Sequence, residues 1–134
     1  TNLSAQTVYF IQIVAEDENG NDSVSATMRF KTNAQADVNA PNVVFESALL
    51  VKADSAHVLW VTNEKANGRL WLSTNAAIDT HLNPTHSWID FSLFHDVELT
   101  GLAPDTLYYY VLSSTDASGN VTILSANSFR TAAQ

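Results

Sequence analysis

One stretch of the chain decides the fold: Thr-Gly-Leu-Ala-Pro-Asp-Thr-Leu-Tyr, from Thr100 to Tyr108. The chain begins with a second version of this stretch, Thr-Asn-Leu-Ser-Ala-Gln-Thr-Val-Tyr, from Thr1 to Tyr9. The two versions stay aligned without a gap as far as Thr32 and Thr131, at an offset of 99 residues. A period of about 100 residues is that of a whole β-sandwich domain, whereas solenoid and propeller repeats have periods of roughly 20 to 50 residues.

The repeat predicts how the chain is divided. Residues 1–33 form the hairpin of the last two strands of a preceding domain, residues 34–40 form a linker, and residues 41–133 form a complete domain. The linker is composed of small and polar residues and is followed by Pro41, as is typical of short interdomain connections. We expect the boundary near Asp37.

Composition excludes several classes of protein. Of 134 residues, 46% are hydrophobic and 15% are charged, which predicts a packed interior. The net charge of −8 has the wrong sign for a protein that binds nucleic acid or an anionic membrane surface. No stretch has the length of a membrane span or the pattern of a signal peptide, so no membrane insertion is expected. Because the chain has no Cys, disulfides and thiolate metal sites are excluded.

Hydrophobic alternation predicts strands throughout the chain. Ala56, Val58 and Trp60 share one face of a strand, and Leu70 and Leu72 share one face of the next. Later strands are separated by turns at 103–106 and 116–120, which are rich in Pro, Asp, Gly and Asn. Since no segment has helical periodicity, the pattern predicts an all-β sandwich. Between Ser73 and His95 the apolar residues follow no single alternation, and the strand limits stay open there.

The second half of the chain resembles a fibronectin type III domain. The likeness rests on three motifs: Gly101-Leu-x-Pro-x-Thr-x-Tyr-x-Tyr110, Asp116-x-x-Gly-Asn120 and Phe129-x-Thr131. It implies an immunoglobulin-like antiparallel sandwich of seven strands, with Trp60 in the core. It also implies that Tyr108, and Tyr9 in the first copy, are tyrosine corners whose hydroxyls bond back to the backbone. The run from Val58 to Leu72 has a weaker likeness to the N-terminal domain of purple acid phosphatases and to modules fused to bacterial secreted enzymes.

Two segments contain residues that could bind a metal ion. Glu16 to Asp22 has the density of carboxylates and amides of a calcium loop, but the second copy retains only the turn residues, which favours a hairpin turn. Histidines and carboxylates also concentrate between Ser73 and His95, but their spacing fits no metal motif, which favours a loop and an edge strand with exposed histidines. The residues of this second segment are Asp79, His81, His86, Asp90 and His95. We therefore expect no metal ion and no cofactor.

One candidate ligand site stands out among the aromatic residues. If Leu70 and Leu72 face the core, Trp71 projects from the outer face of its sheet. In the fibronectin type III family this strand lies beside the one that carries Tyr109, and Arg69 would lie at the rim. Such a platform could stack on a sugar ring or contact a protein partner, or it could only cover the sheet or a neighbouring repeat.

The hypothesis for function is a non-catalytic module of a tandem array in a secreted or cell-surface bacterial protein, which spaces or orients its neighbours. No nucleophile motif and no paired carboxylates indicate an enzyme. One alternative is an adhesion module that binds polysaccharide or protein through Trp71, Tyr109 and Arg69. Another is an accessory domain of an extracellular hydrolase or metallophosphoesterase. The expected partners are the neighbouring domains of the same chain, and the hairpin of residues 1–33 is expected to pack on the complete domain or to dimerise.

Overall fold

A computed structural model describes residues 3–134 of the chain. These residues contain ten β-strands and no helix, and consequently no helix that could cross a membrane. Their contacts divide them into two compact units, of which the first ends at Asp37 and the second begins at Val38.

The first unit is one long antiparallel hairpin. Strand β1 (Val8–Ile11) pairs with β4 (Met28–Lys31), and β2 (Val14–Glu16) pairs with β3 (Asp22–Val24). Gly20 lies at the tip with a φ of 82°, a conformation that glycine adopts without strain. Within residues 3–37 no further strand forms a second layer on the hairpin.

The second unit contains strands that are numbered in chain order. They are β5 (Val43–Leu49), β6 (Ser55–Ser73), β7 (His86–Thr100), β8 (Leu107–Asp116), β9 (Val121–Ile123) and β10 (Asn127–Arg130). All of their pairings are antiparallel.

Strands β6 and β7 each contribute to both layers of a sandwich. The first half of β6 pairs with β5 and with the second half of β7, which makes a layer of three strand segments. Beyond a register shift between Val61 and Ala66, β6 pairs with β8 and with the first half of β7. Strands β10 and β9 extend that layer as two pieces of one edge, so it has four segments. The prediction of a seven-stranded antiparallel sandwich is therefore confirmed.

Trp60 lies at the centre of the core. Its side chain is buried, and its indole Nε1 donates a hydrogen bond of 3.1 Å to Ser114 Oγ on the opposite layer. Gly68 approaches the indole so closely that a Cβ at this position would lie 2.5 Å from Trp60 Cζ2. The predicted inward residues Ala56, Val58 and Leu70 are also fully buried. The alternation of the sequence thus identifies the core side of β6.

The hairpins of the two units have the same hydrogen bonds, displaced by 99 residues. Ser4 N donates to Tyr9 Oη at 2.7 Å, and Ala103 N donates to Tyr108 Oη at 3.0 Å. The other matched bonds are Thr7 N to Thr32 Oγ1 and Thr106 N to Thr131 Oγ1, both 2.9 Å, and Thr32 Oγ1 to Ser4 O and Thr131 Oγ1 to Ala103 O, at 2.6 and 2.7 Å. Even the positive φ of Gln6 (50°) recurs at Asp105 (47°). The repeat is therefore present in the structure as well as in the amino-acid sequence.

The segment between Ser73 and His95, in which the sequence predicts no strand limits, contains a loop and the first part of β7. Residues 74–85 form no strand, and β7 begins at His86. Trp88 packs against the core, with its ring 5.7 Å from that of Trp60, whereas Ile89 and Phe91 are exposed. Because this part of β7 carries apolar residues on both faces, it has no simple alternation.

Candidate functional site

The predicted aromatic platform is not exposed at its central residue. Trp71 is only 6% exposed, because the loop of residues 74–85 lies over it. The indole Nε1 of Trp71 donates a hydrogen bond of 2.8 Å to Leu82 O, and Thr85 Oγ1 accepts one of 2.9 Å from Leu72 N. The loop is therefore fixed at two points, and the expectation that Trp71 is exposed on the outer face is wrong.

The other two residues of the predicted platform remain near the surface without a central aromatic ring. Trp71 pairs across the strands with Val111, Arg69 with Ser113 and Ser73 with Tyr109. Arg69 is exposed and Tyr109 is half-buried. The alternation of residues along β6 predicts correctly that Trp71 lies on the outer face of its sheet. It cannot predict that the loop covers this face, because alternation describes only the strand itself.

The tyrosine corner connects the layers at the start of β8. Tyr108 Oη accepts a hydrogen bond from Ala103 N, and the ring of Tyr108 stacks on Phe129 at 5.8 Å. Together with three strand segments facing four, this corner decides the type of sandwich. The fold is fibronectin type III-like. Tyr9 has the same hydroxyl contact and stacks on Phe30 at 5.8 Å in the first unit.

The segment from Glu16 to Asp22, whose composition resembles a calcium loop, is a turn whose acid binds its own backbone. Asp17 Oδ1 accepts hydrogen bonds of 2.9 Å from Asn19 N and Asn21 N, while Oδ2 accepts one of 2.9 Å from Asn21 Nδ2. The Asn21 side chain first, and then the backbone donors, lower the pKa of Asp17. This arrangement keeps the carboxylate charged and occupied by the turn.

The matching turn of the second unit has the same geometry. Asp116 Oδ1 accepts hydrogen bonds from Ser118 N and Asn120 N at 2.8 and 2.9 Å, and Oδ2 accepts one of 2.7 Å from Asn120 Nδ2. Burial alone would raise the pKa of Asp116, but the bonds from Asn120, Ser118 and Gly119 outweigh it and lower the pKa. The residues that the two copies share thus shape the turn.

The histidines and carboxylates between 79 and 95 do not gather into a cluster of three that could hold a metal ion among the described residues. His81 Nδ1 lies 3.0 Å from Asp79 Oδ1 within the loop, and His86 stacks on Trp88. Hydrogen bonds from the His81 backbone and ring lower the pKa of Asp79.

His95 differs from the other histidines because it belongs to the core. It is buried and stacks on Trp60 with a centroid distance of 4.7 Å. Burial lowers the pKa of His95, so its ring is neutral at pH 7, and its Nε2 has no hydrogen-bond partner among the described residues. The prediction that His95 is exposed is therefore wrong. His95 alternates with Val97 and Leu99, and all three are buried. This alternation is the signal in the sequence that indicates a core position for His95.

Sequence reasoning missed a small pocket along β7. The pocket has a volume of about 140 Å³ and lies where β7 passes from one layer to the other. Its wall is formed by Trp88, Asp90, Ser92, Phe94, His95 and Asp96. A wall that combines aromatic rings with two acidic residues suits a side chain that is apolar along its length and cationic at its end.

Comparisons with known proteins give structural likeness only. No family model matches the chain, and no curated protein matches it. The sensor domain of the anti-sigma factor RsgI4 in Pseudobacteroides cellulosolvens is similar over 73% of this chain and 100% of that chain, with 18% identity and a TM-score of 0.49. The central fibronectin-III array of RIM-binding protein is similar over 98% of this chain and 47% of that chain, with 17% identity and a TM-score of 0.49.

Proposed function

We propose that this fibronectin type III-like domain is a non-catalytic module of a tandem array, and that it spaces and orients the domains beside it. The observation that carries the proposal is the structural repeat at an offset of 99 residues. Two hairpins with the same corner, the same turn and the same backbone hydrogen bonds occur in one chain, and only the second lies in a sandwich.

The exposure of the first hairpin supports the proposal. Phe30 is 42% exposed, whereas its counterpart Phe129 is 8% exposed beneath the other layer of its sandwich. Phe10, Ile11 and Ile13 of the same hairpin are exposed as well. Burial of a large apolar side chain contributes roughly 1.5 to 3 kcal/mol, so a hairpin with this composition gains much from a covering layer. We infer that chain preceding Thr1 supplies the remaining strands of the first copy.

The structural roles of two titratable residues, Asp116 and His95, support a non-catalytic function. The carboxylate of Asp116 binds its own turn, and the ring of His95 fills space against Trp60. The acidic, lysine-poor composition and the tandem arrangement together support a secreted or cell-surface location, where arrays of rigid domains project a functional domain from a surface.

Small-angle X-ray scattering on a longer fragment tests the spacer role. A fragment that begins about 65 residues before Thr1 would contain two complete copies. Strand β8, with 10 residues, is about 34 Å long, so two domains in line have a maximum dimension of roughly 70 Å. The proposal predicts this dimension in the fragment. In a variant with four Gly-Ser pairs inserted at Ala36, it predicts a larger maximum dimension and a broader distribution of distances. A compact fragment whose dimension does not respond to the insertion would contradict an orienting linker.

A further inference from the structure

The outer edge of β7 has no strand partner among residues 3–134. Strand β7 extends over 15 residues, from His86 to Thr100, and pairs with β6 alone. Its other side therefore presents unpaired backbone N–H and C=O groups, which is the template that an added strand requires.

This edge lacks two common protections of exposed strands, short length and Pro or Lys, although it carries exposed acids and its pairing with β6 is irregular between Trp88 and Phe94. Natural edges are commonly short or carry Pro, Lys or an inward charge. Strand β7 is long and contains no Pro, Lys or Arg. Its outward side chains include Ile89, which is 85% exposed, and Phe91, which is 44% exposed. An edge of this kind is stabilised by a partner that covers it.

The charges of β7 indicate the chemistry of that partner. Asp90, Asp96 and Glu98 are exposed on this strand, and only Asp96 has an ion-pair partner in the described part of the chain, His57 at 3.0 Å. A second copy of β7 would bring further acids and no cationic side chain to this edge, and carboxylates directly opposite one another are destabilising. A strand with cationic side chains would instead form opposite-charge pairs.

The pocket beside Asp90 gives the partner an anchor. Trp88 and Phe94 contribute aromatic rings to the wall of the pocket, and the acidic residues Asp90 and Asp96 also line it. A volume of about 140 Å³ has room for one long side chain. The stem of a Lys or Arg would pack on the rings while its charged end meets the carboxylates.

We propose that the edge of β7 binds an extended protein segment in which Lys or Arg alternates with apolar residues, by strand addition at residues 86–96 with one cationic side chain in the Trp88 pocket. Backbone hydrogen bonds provide affinity, and the acids of β7 select the charge. The partner is thus an exposed basic strand or tail of another protein. This binding site is independent of the spacer role.

Titration with a designed peptide tests the proposal. The probe is an eight-residue peptide of alternating Val and Lys, capped at both ends, and the control peptide alternates Val and Glu. Binding to the full chain is measured by calorimetry, and amide hydrogen exchange with and without the peptide locates the site. We expect the Val-Lys peptide to slow exchange at residues 86–96, and the Val-Glu peptide to leave it unchanged.

Two variants with the same change of net charge separate the site from general attraction to an acidic protein. Asp90→Lys reverses the charge beside the pocket, whereas Glu18→Lys does so in the exposed turn of the first unit. We expect Asp90→Lys to weaken the Val-Lys peptide about tenfold and Glu18→Lys to change it less than twofold. If Asp90→Lys impairs folding, Asp90→Asn serves in its place, and we expect it to weaken binding of the Val-Lys peptide about threefold. Equal losses in the two reversal variants, protection elsewhere than β7, or self-association through β7 in place of peptide binding would overturn the proposal.

Discussion

Replacement of Gly68 by Ala should destabilise the second unit through a single contact. The new Cβ would lie 2.5 Å from Trp60 Cζ2 and 3.3 Å from Cη2. Trp60 has little freedom to move, because its Nε1 is bonded to Ser114 and its ring is stacked on His95. Overpacking of this kind costs about 1 to 3 kcal/mol, and the smaller entropy of the unfolded chain offsets about 0.4 to 1 kcal/mol.

The net loss of about 1 to 2 kcal/mol should lower the melting temperature by roughly 4 to 16 °C. Tryptophan fluorescence is the suitable signal, because Trp60, Trp71 and Trp88, the three tryptophans of the chain, lie in the second unit. The matched background is Trp60→Phe, in which the atoms nearest the new Cβ are absent. There Gly68→Ala should cost less than about 0.5 kcal/mol. An equal cost in both backgrounds would refute the clash as the cause.

Three further variants test the corner, the buried histidine and the covered tryptophan. Tyr108→Phe removes the hydroxyl acceptor and should lower the free energy of unfolding by about 1 kcal/mol in a urea titration, whereas Tyr109→Phe should change it by less than half as much. Because burial lowers the pKa of His95 below its usual 6.5, the unfolded chain takes up the proton first, so stability should fall as the pH is lowered from 7.5 to 5.5, and His95→Phe should flatten this dependence. Trp71→Ala should cost about 3 to 5 kcal/mol, and a cost below 1 kcal/mol would mean that the loop does not cover the ring.

Much of the sandwich could be predicted from local patterns. The inward positions Ala56, Val58 and Trp60 follow from alternation, since a strand with one buried face repeats every two residues. The turns at Asp17 and Asp116 follow from residue types that bind their own backbone or tolerate a positive φ.

The errors concern contacts between residues that are distant along the chain or outside a simple pattern. Alternation places Trp71 on the correct face, but the burial of Trp71 depends on Leu82 and the loop around it. The first part of β7 sends Trp88 into the core and leaves Ile89 in solvent, so neither face is uniformly polar. The pocket beside β7 lies where this strand passes between layers, an arrangement of distant segments that no window of sequence reveals.

The coding sequence that precedes Thr1 tests the tandem arrangement most directly. If the first hairpin is the end of a complete copy, about 65 residues before Thr1 should contain strands with the alternation of β5 to β7. They should include a Trp near the position 99 residues before Trp60, which is about 40 residues before Thr1, and a Gly eight residues after that Trp. An unrelated helical or low-complexity sequence at this place would contradict the account of the chain as consecutive fibronectin type III-like copies.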